Sequence, residues 1–193
     1  MNKGAIFLSA SVPERELDRF VPEPVAIREA VRALVAETVR DRMLVFGGHP
    51  AISPLVEHAA RDLNATDNVI IYQSSFFEKK IPDVAKKFRN LRWTREDPAG
   101  RDPSLTLMRT EMIHSTPFDA AFFIGGMEGL LEEWDIFTKR YAMPAFPVAS
   151  TEGAARILWQ DWTPNNLPNA TADLKTRLAQ DLQYRLLFRD LLT

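Results

Sequence analysis

Short apolar runs recur along the chain at Ala5 to Leu8, Met43 to Phe46, Val69 to Tyr72, Ala120 to Ile124 and Ala145 to Val148. They are bounded by turn residues and rarely alternate in polarity, the pattern of strands buried on both faces of a sheet. Between them, apolar positions fall at helical spacing, first at Ile27, Ala30, Val31, Leu34, Val35 and Thr38, then at Leu55, Val56, Ala59, Ala60 and Leu63. This alternation predicts right-handed βαβ crossovers, a mainly parallel sheet and a three-layer α/β domain. Ligands of such folds bind beyond the carboxyl ends of the strands.

Punctuation residues mark the organisation. Pro22-Glu23-Pro24 opens the first long helix, where a missing N–H has no helical partner to lose. Asp97 to Pro103 reads as the one long interior turn, an ordinary surface loop. The run Thr163 to Asn169 separates a ligand-binding body, residues 1–162, from residues 163–193, a linker and one C-terminal amphipathic helix carrying Leu174, Leu178, Leu182, Leu186 and Phe188. That helix is expected to be a packing or oligomerisation element.

Composition narrows the partners. A chain of 193 residues with 46% hydrophobic and 26% charged positions is expected to fold as one globular unit. Its 24 basic and 26 acidic residues give a net charge of −2, so neither duplex nucleic acid nor an anionic membrane is an expected partner. With no cysteine there is no disulfide, thiolate nucleophile or Cys-based metal site, and His49, His58 and His114 are too scattered to define one. No metal and no cofactor are expected. The apolar run before Ser9 is too short for a signal segment or a membrane span, and the expectation is a cytoplasmic protein.

Candidate chemistry gathers at three strand ends: Leu8-Ser9-Ala10-Ser11, then Phe46-Gly47-Gly48-His49-Pro50, then Ile124-Gly125-Gly126-Met127-Glu128-Gly129. In a parallel sheet these ends converge on one edge, where glycines let backbone N–H groups and helix N-termini approach an anion. The spacing fits neither G-x-G-x-x-G nor a Walker A sequence. Ser53 is a candidate N-cap with Pro54 at the first helical position. Glu132 and Glu133 fall early in the helix after the third loop, and Arg109 sits on the helix before it, a carboxylate and guanidinium pair suited to holding a ribose, activating water or clamping a phosphate. Ser9 and Ser11 have no nucleophile-elbow context and read as ligand-contact hydroxyls. Tyr72 to Ser75 forms a further strand end. Seven basic residues from Lys79 to Arg95, interleaved with Phe88 and Trp93, read as a solvated helix face. A module for single-stranded nucleic acid, using Lys86, Lys87 and Arg89, is the minor alternative.

The order of a Ser-containing first loop, Val45-Phe46-Gly47-Gly48, Met108-Arg109 and Asp119-Ala-Ala-Phe-Phe-Ile-Gly-Gly-Met-Glu-Gly-Leu-Leu-Glu-Glu133 resembles the SMF/DprA–LOG (SLOG) superfamily over about residues 5 to 160. Arg109 precedes Gly125 by 16 positions, as in the LOG-type phosphoribohydrolases, whose motif is P-G-G-x-G-T-x-x-E after an Arg-Lys pair. Here Ile124 stands for the motif proline and Thr110 for the lysine; the loop is one residue longer and lacks the threonine. In these respects the chain looks closer to SLOG branches associated with TIR, Sir2 or nucleosidase effectors in nucleotide signalling and antiphage defence. The resemblance implies a Rossmann-like fold binding a nucleotide or nucleotide-derived ligand at Ser9, Ser11, Gly47, Gly48, His49, Arg109, Gly125, Gly126, Met127, Glu128, Gly129 and Glu133. In that scheme the glycines supply backbone donors, Arg109 meets phosphate and Glu133 meets ribose hydroxyls. It implies a sensor, with a homodimer or higher homo-oligomer and an effector protein as partners. The enzymatic alternative is N-glycosidic cleavage, in which Glu133 or Glu132 stabilises an oxocarbenium-like ribose or activates water while Arg109 orients the phosphate. Glu133 aligns with the family's acidic residue when the extra residue is absorbed inside the loop.

Overall fold

The computed structural model describes residues 4–12, 20–21, 23–164 and 173–193. All five apolar runs form strands: β1 Ala5–Ser11, β2 Met43–Gly47, β3 Val69–Ser74, β5 Phe118–Gly125 and β6 Ala145–Val148. A sixth strand, β4 Asn90–Thr94, joins them in one all-parallel sheet of order β4-β3-β2-β1-β5-β6. The helices are α1 Pro24–Thr38, α2 Ser53–Asp62, α3 Arg101–Ile113, α4 Glu128–Arg140, α5 Gly153–Asp161, α6 Leu174–Gln180 and α7 Tyr184–Leu192.

Successive side chains of each strand point to opposite sheet faces, so every central strand feeds two cores. Ile6, Leu8, Leu44, Phe46, Phe122 and Ile124 pack with α1, α2, α6 and α7 on one face. Phe7, Val45, Ile70, Ala121 and Phe123 pack with α3, α4 and α5 on the other. At the centre of the second core the Phe7 ring stacks on Phe137 at 5.7 Å and meets Phe118 and Phe123 edge-on. The fold is thus the three-layer Rossmann-like α/β architecture expected from the alternation, with a sheet that is wholly rather than mainly parallel.

Several local expectations change. The basic stretch is not a helix face: Ser75–Lys80 and Ala85–Lys87 are short 3-10 turns leading into β4. Phe88 is buried, whereas Arg92 and Trp93 are exposed on this edge strand. The turn at Asp97 ends at Gly100, because Arg101, Asp102 and Pro103 already form the first turn of α3, where proline is tolerated. There the Ser104 hydroxyl donates to the Gly100 carbonyl and accepts from the Asp97 N–H. Ser53 is the first residue of α2 rather than its N-cap, its hydroxyl donating to the His49 carbonyl at 3.0 Å.

The single C-terminal helix is two. The Asp181 carboxylate accepts the Gln183 N–H at 2.9 Å, a local turn that competes with helix continuation and redirects the chain. Leu174, Leu178, Leu187 and Phe188 are therefore buried, while Leu182 and Leu186 face outward. α7 lies against α1 in the same layer, its last turn held by Arg42 Nη2 donating to the Leu192 carbonyl at 2.6 Å. Pro22 and positions 165–169 of the expected linker lie outside the described residues.

Removing the stacked ring at the centre of the second core should be costly. Phe7→Ala is expected to lower the unfolding free energy by about 3–5 kcal/mol. Leu182→Ala, at an exposed position of the bend, should change it by no more than about 0.5 kcal/mol. Both values are read from urea titration followed by circular dichroism.

Candidate functional site

The strand order reverses between β1 and β5. Connections through α1 and α2 cover one sheet face and those through α3 and α4 cover the other, the topology in which a ligand crevice is expected at the carboxyl ends of β1 and β5. Ser9 lies buried at the end of β1, and Ser11 pairs with Gly125 at the end of β5.

The glycine loop after β5 is shaped by close approach. Gly125 and Gly126 have φ of 61° and 86°, in the left-handed region that favours glycine. The Gly125 N–H donates to Thr151 Oγ1 at 2.8 Å, the Gly126 N–H donates to the Ser11 carbonyl at 3.0 Å, and the Gly126 carbonyl accepts the Ala154 N–H at 3.1 Å. The N-terminus of α5 is therefore seated directly on the loop, and a Cβ on Gly153 would stand 2.8 Å from the Gly126 carbonyl oxygen. The second loop behaves similarly. The Gly48 N–H donates to the Tyr72 carbonyl at 3.0 Å, and the Gly48 carbonyl accepts from Gln73 Nε2 at 2.6 Å. Gly125, Gly126 and Gly48 thus do not present free donors as expected from sequence; their N–H groups are engaged inside the protein. Gly47 ends β2 beside Met108 and Met112 of α3, and His49 is half-buried with Nδ1 accepting the Ala51 N–H. Met127 precedes α4 and Glu128 begins it, exposed, while Gly129 lies against the Arg109 guanidinium.

α3 and α4 bring three of the expected side chains together below this loop, and β1 adds a fourth, Ser9. Arg109 Nη1 donates to Glu132 Oε2, and Arg109 Nε lies 3.6 Å from Glu133 Oε1. Thr106, one helical turn before Arg109, donates its hydroxyl to the other Glu132 oxygen at 2.5 Å. Ser9 reaches Glu133 from β1 with a side-chain hydrogen bond. The Arg109 and Glu133 side chains are only 15% and 13% exposed, whereas Glu132 is 33% exposed. Burial pushes the Glu133 carboxyl above its ordinary value. The Arg109 charge and the Ser9 hydroxyl pull it back without cancelling the rise, and the Glu132 charge adds to it. Two adjacent carboxylates therefore sit in different environments: Glu132 is ion-paired and partly solvated, and Glu133 is desolvated and suited to holding a proton.

Sequence reasoning overlooked Thr106, Thr151 and Gly153. A signal for the last two existed, because Ala149-Ser150-Thr151-Glu152-Gly153 follows β6 as another strand end rich in small and hydroxyl residues. Among the described residues, no group of three or more His, Asp or Glu side chains stands close enough to hold a metal ion, and no helix is long and apolar enough to cross a membrane.

The reversed strand order defines a doubly wound α/β protein, with the carboxylate–guanidinium cluster beneath the glycine loop at the switch point. The chain belongs to the SLOG cluster3 family, which matches over residues 20–192. Among solved structures, the X-ray structure of TM1055 from the Northeast Structural Genomics Consortium aligns with 92% of this chain and 89% of its own, at 14% identity and a TM-score of 0.48. No curated protein matches the chain.

Two outcomes follow from this geometry. Above pH 4.5 the unfolded chain releases the Glu133 proton while the folded protein retains it, so Glu133 lowers stability as pH rises until its folded-state value is passed. Glu133→Gln should accordingly gain stability relative to the parent as pH rises above 4.5, read as the difference in urea midpoint at each pH. Gly153→Ala, with φ of 65° and backbone in the path of its Cβ, should cost about 1–3 kcal/mol in the same titration.

Proposed function

We propose that the protein binds a nucleotide or nucleotide-derived ligand in the crevice at the ends of β1 and β5, as a SLOG-type sensor of nucleotide signalling. The observation that carries this reading is the meeting of Ser9, Arg109, Glu132 and Glu133 at the point where the strand order reverses. Carboxylate oxygens accept hydrogen bonds from ribose hydroxyls, the Ser9 hydroxyl adds a donor or acceptor, and Arg109 fixes both carboxylates. Membership of the SLOG cluster3 family supports a nucleotide-related ligand. In this reading residues 1–162 hold the ligand, and the C-terminal helices packed on α1 carry its effect to a second copy or an effector protein.

One observation favours catalysis as a second reading. A buried carboxyl raised above its ordinary value, beside a second carboxylate ion-paired with an arginine, suits acid–base work on an N-glycosidic bond. Glu133 would then hold the proton or orient the attacking water, and Arg109 would keep the two carboxylates apart in role.

The two readings separate in one experiment. Purified protein is incubated with nucleoside monophosphates, ATP, NAD and ADP-ribose, with thermal stability recorded before incubation and free base sought afterwards by mass spectrometry. A sensor shows ligand-dependent stabilisation without base release, and Glu133→Gln weakens binding by about tenfold, or 1.4 kcal/mol. A hydrolase releases free base, and the same substitution lowers its rate by about 10²–10⁴-fold.

A further inference from the structure

Among the described residues, the guanidinium of Arg109 and three glycine N–H groups that could meet a phosphate at this site are already engaged. A phosphate dianion is held by a free cation and by backbone N–H groups that point at it. The one cation paired with the cluster among the described residues is Arg109, whose charge is answered by Glu132 at Nη1, with Glu133 lying opposite Nε. Arg109 Nε is itself buried, with Glu133 Oε1 beyond hydrogen-bond distance at 3.6 Å. Thr106 fastens the second Glu132 oxygen, so the Arg109–Glu132 pair is held from both sides rather than left as a mobile surface contact. The Gly125, Gly126 and Gly48 N–H groups donate to Thr151, Ser11 and Tyr72. A phosphate arriving here meets two carboxyl groups for one guanidinium, and the Gly48, Gly125 and Gly126 N–H groups are already taken. A sugar hydroxyl meets the opposite situation: acceptor oxygens on a one-third exposed Glu132 at the mouth and on Glu133 beneath it.

We infer that Glu132 is a specificity-determining residue that turns the Arg109 crevice from a phosphate subsite into one for a ribosyl diol carrying no terminal phosphate monoester on the side facing Arg109. The inference rests on the ligand reading above and narrows it. Any phosphate of the natural ligand then lies outside the Arg109 pair, as in a nucleoside or a ligand whose phosphates are diester or pyrophosphate links. Glu132 acts by holding the guanidinium and repelling an anion, and it also offers its oxygens to hydroxyls.

Calorimetry with inorganic phosphate, the four common ribonucleosides and their 5′-monophosphates tests this on the parent protein and on Glu132→Gln. The parent is expected to bind its preferred nucleoside at least as tightly as the matching monophosphate and to show no heat with inorganic phosphate. Glu132→Gln should bind inorganic phosphate and the monophosphate at least tenfold more tightly than the parent does, with no such gain for the nucleoside. A parent protein that prefers the monophosphate tenfold or more overturns the inference while leaving the nucleotide reading intact, and this result needs no variant. An unchanged phosphate response in a folded Glu132→Gln protein also overturns it. Phosphate binding gained by Glu132→Gln, with no nucleoside or nucleotide bound by either protein, supports the role of Glu132 and sinks the nucleotide reading instead.

Discussion

Parallel pairing of β1 with β5, from Ile6 opposite Ala120 to Ser11 opposite Gly125, is the contact on which the architecture turns. β1 also pairs with β2 on its other side, so the chain leaves the sheet in opposite directions from one central strand. Right-handed crossovers then force α1 and α2 onto one face and α3 and α4 onto the other. Among the described residues no helix crosses between the two sets, and this is where the topology puts the candidate crevice. The residues that fill its floor are those a tight approach demands: Ser9 without bulk, Gly125 and Gly126 in left-handed backbone, and Gly153 beneath them.

Within that crevice the electrostatics are unusually self-contained. A buried guanidinium alone would carry a large desolvation cost, and two carboxylates alone would repel each other. Arg109, Glu132 and Glu133 resolve both problems together, at the cost of lifting Glu133 above its ordinary value. Removing Glu132 leaves Arg109 facing a carboxyl that prefers its proton, and removing Arg109 leaves two acids with no counter-charge. The three act as one unit whose single substitutions are not additive.

How legible these features are in the sequence depends on where each constraint resides. β1, β2, β3 and β5 are buried on both faces, so their burial appears as unbroken apolar runs such as Ala120 to Ile124. β4 is an edge strand, and the exposed Arg92 and Trp93 that suit an edge erase that signal and mimic a polar helix face. The break between α6 and α7 is hidden for another reason: leucines continue at helical spacing through Leu182 and Leu186, while the interruption comes from one Asp181 side chain bonding two residues ahead. At the site, Ser9, Arg109, Glu132 and Glu133 are visible as residue types at strand ends and beside a glycine loop. The engagement of the glycine N–H groups is not, because the partner of Gly125 is Thr151, brought from the far side of β6. Which donors are free is a tertiary property, and no local spacing encodes it.

The β1–β5 register also bears on how the protein comes into being. Ala5 lies opposite Phe118, whereas its partner on the other side is Met43, so the first strand acquires one neighbour early and the second only after most of the chain has been synthesised. Such long-range parallel pairing carries a large loop-closure entropy and slows folding. Until β5 arrives, one edge of β1 is bare along Ile6, Phe7 and Leu8, an apolar strand edge of the kind that recruits other chains. The crevice is consequently among the last parts of the molecule to be completed, and a nascent chain halted before β5 leaves the Ile6 to Leu8 edge bare, next to the Ser9 end of β1 where the finished protein has its candidate binding site.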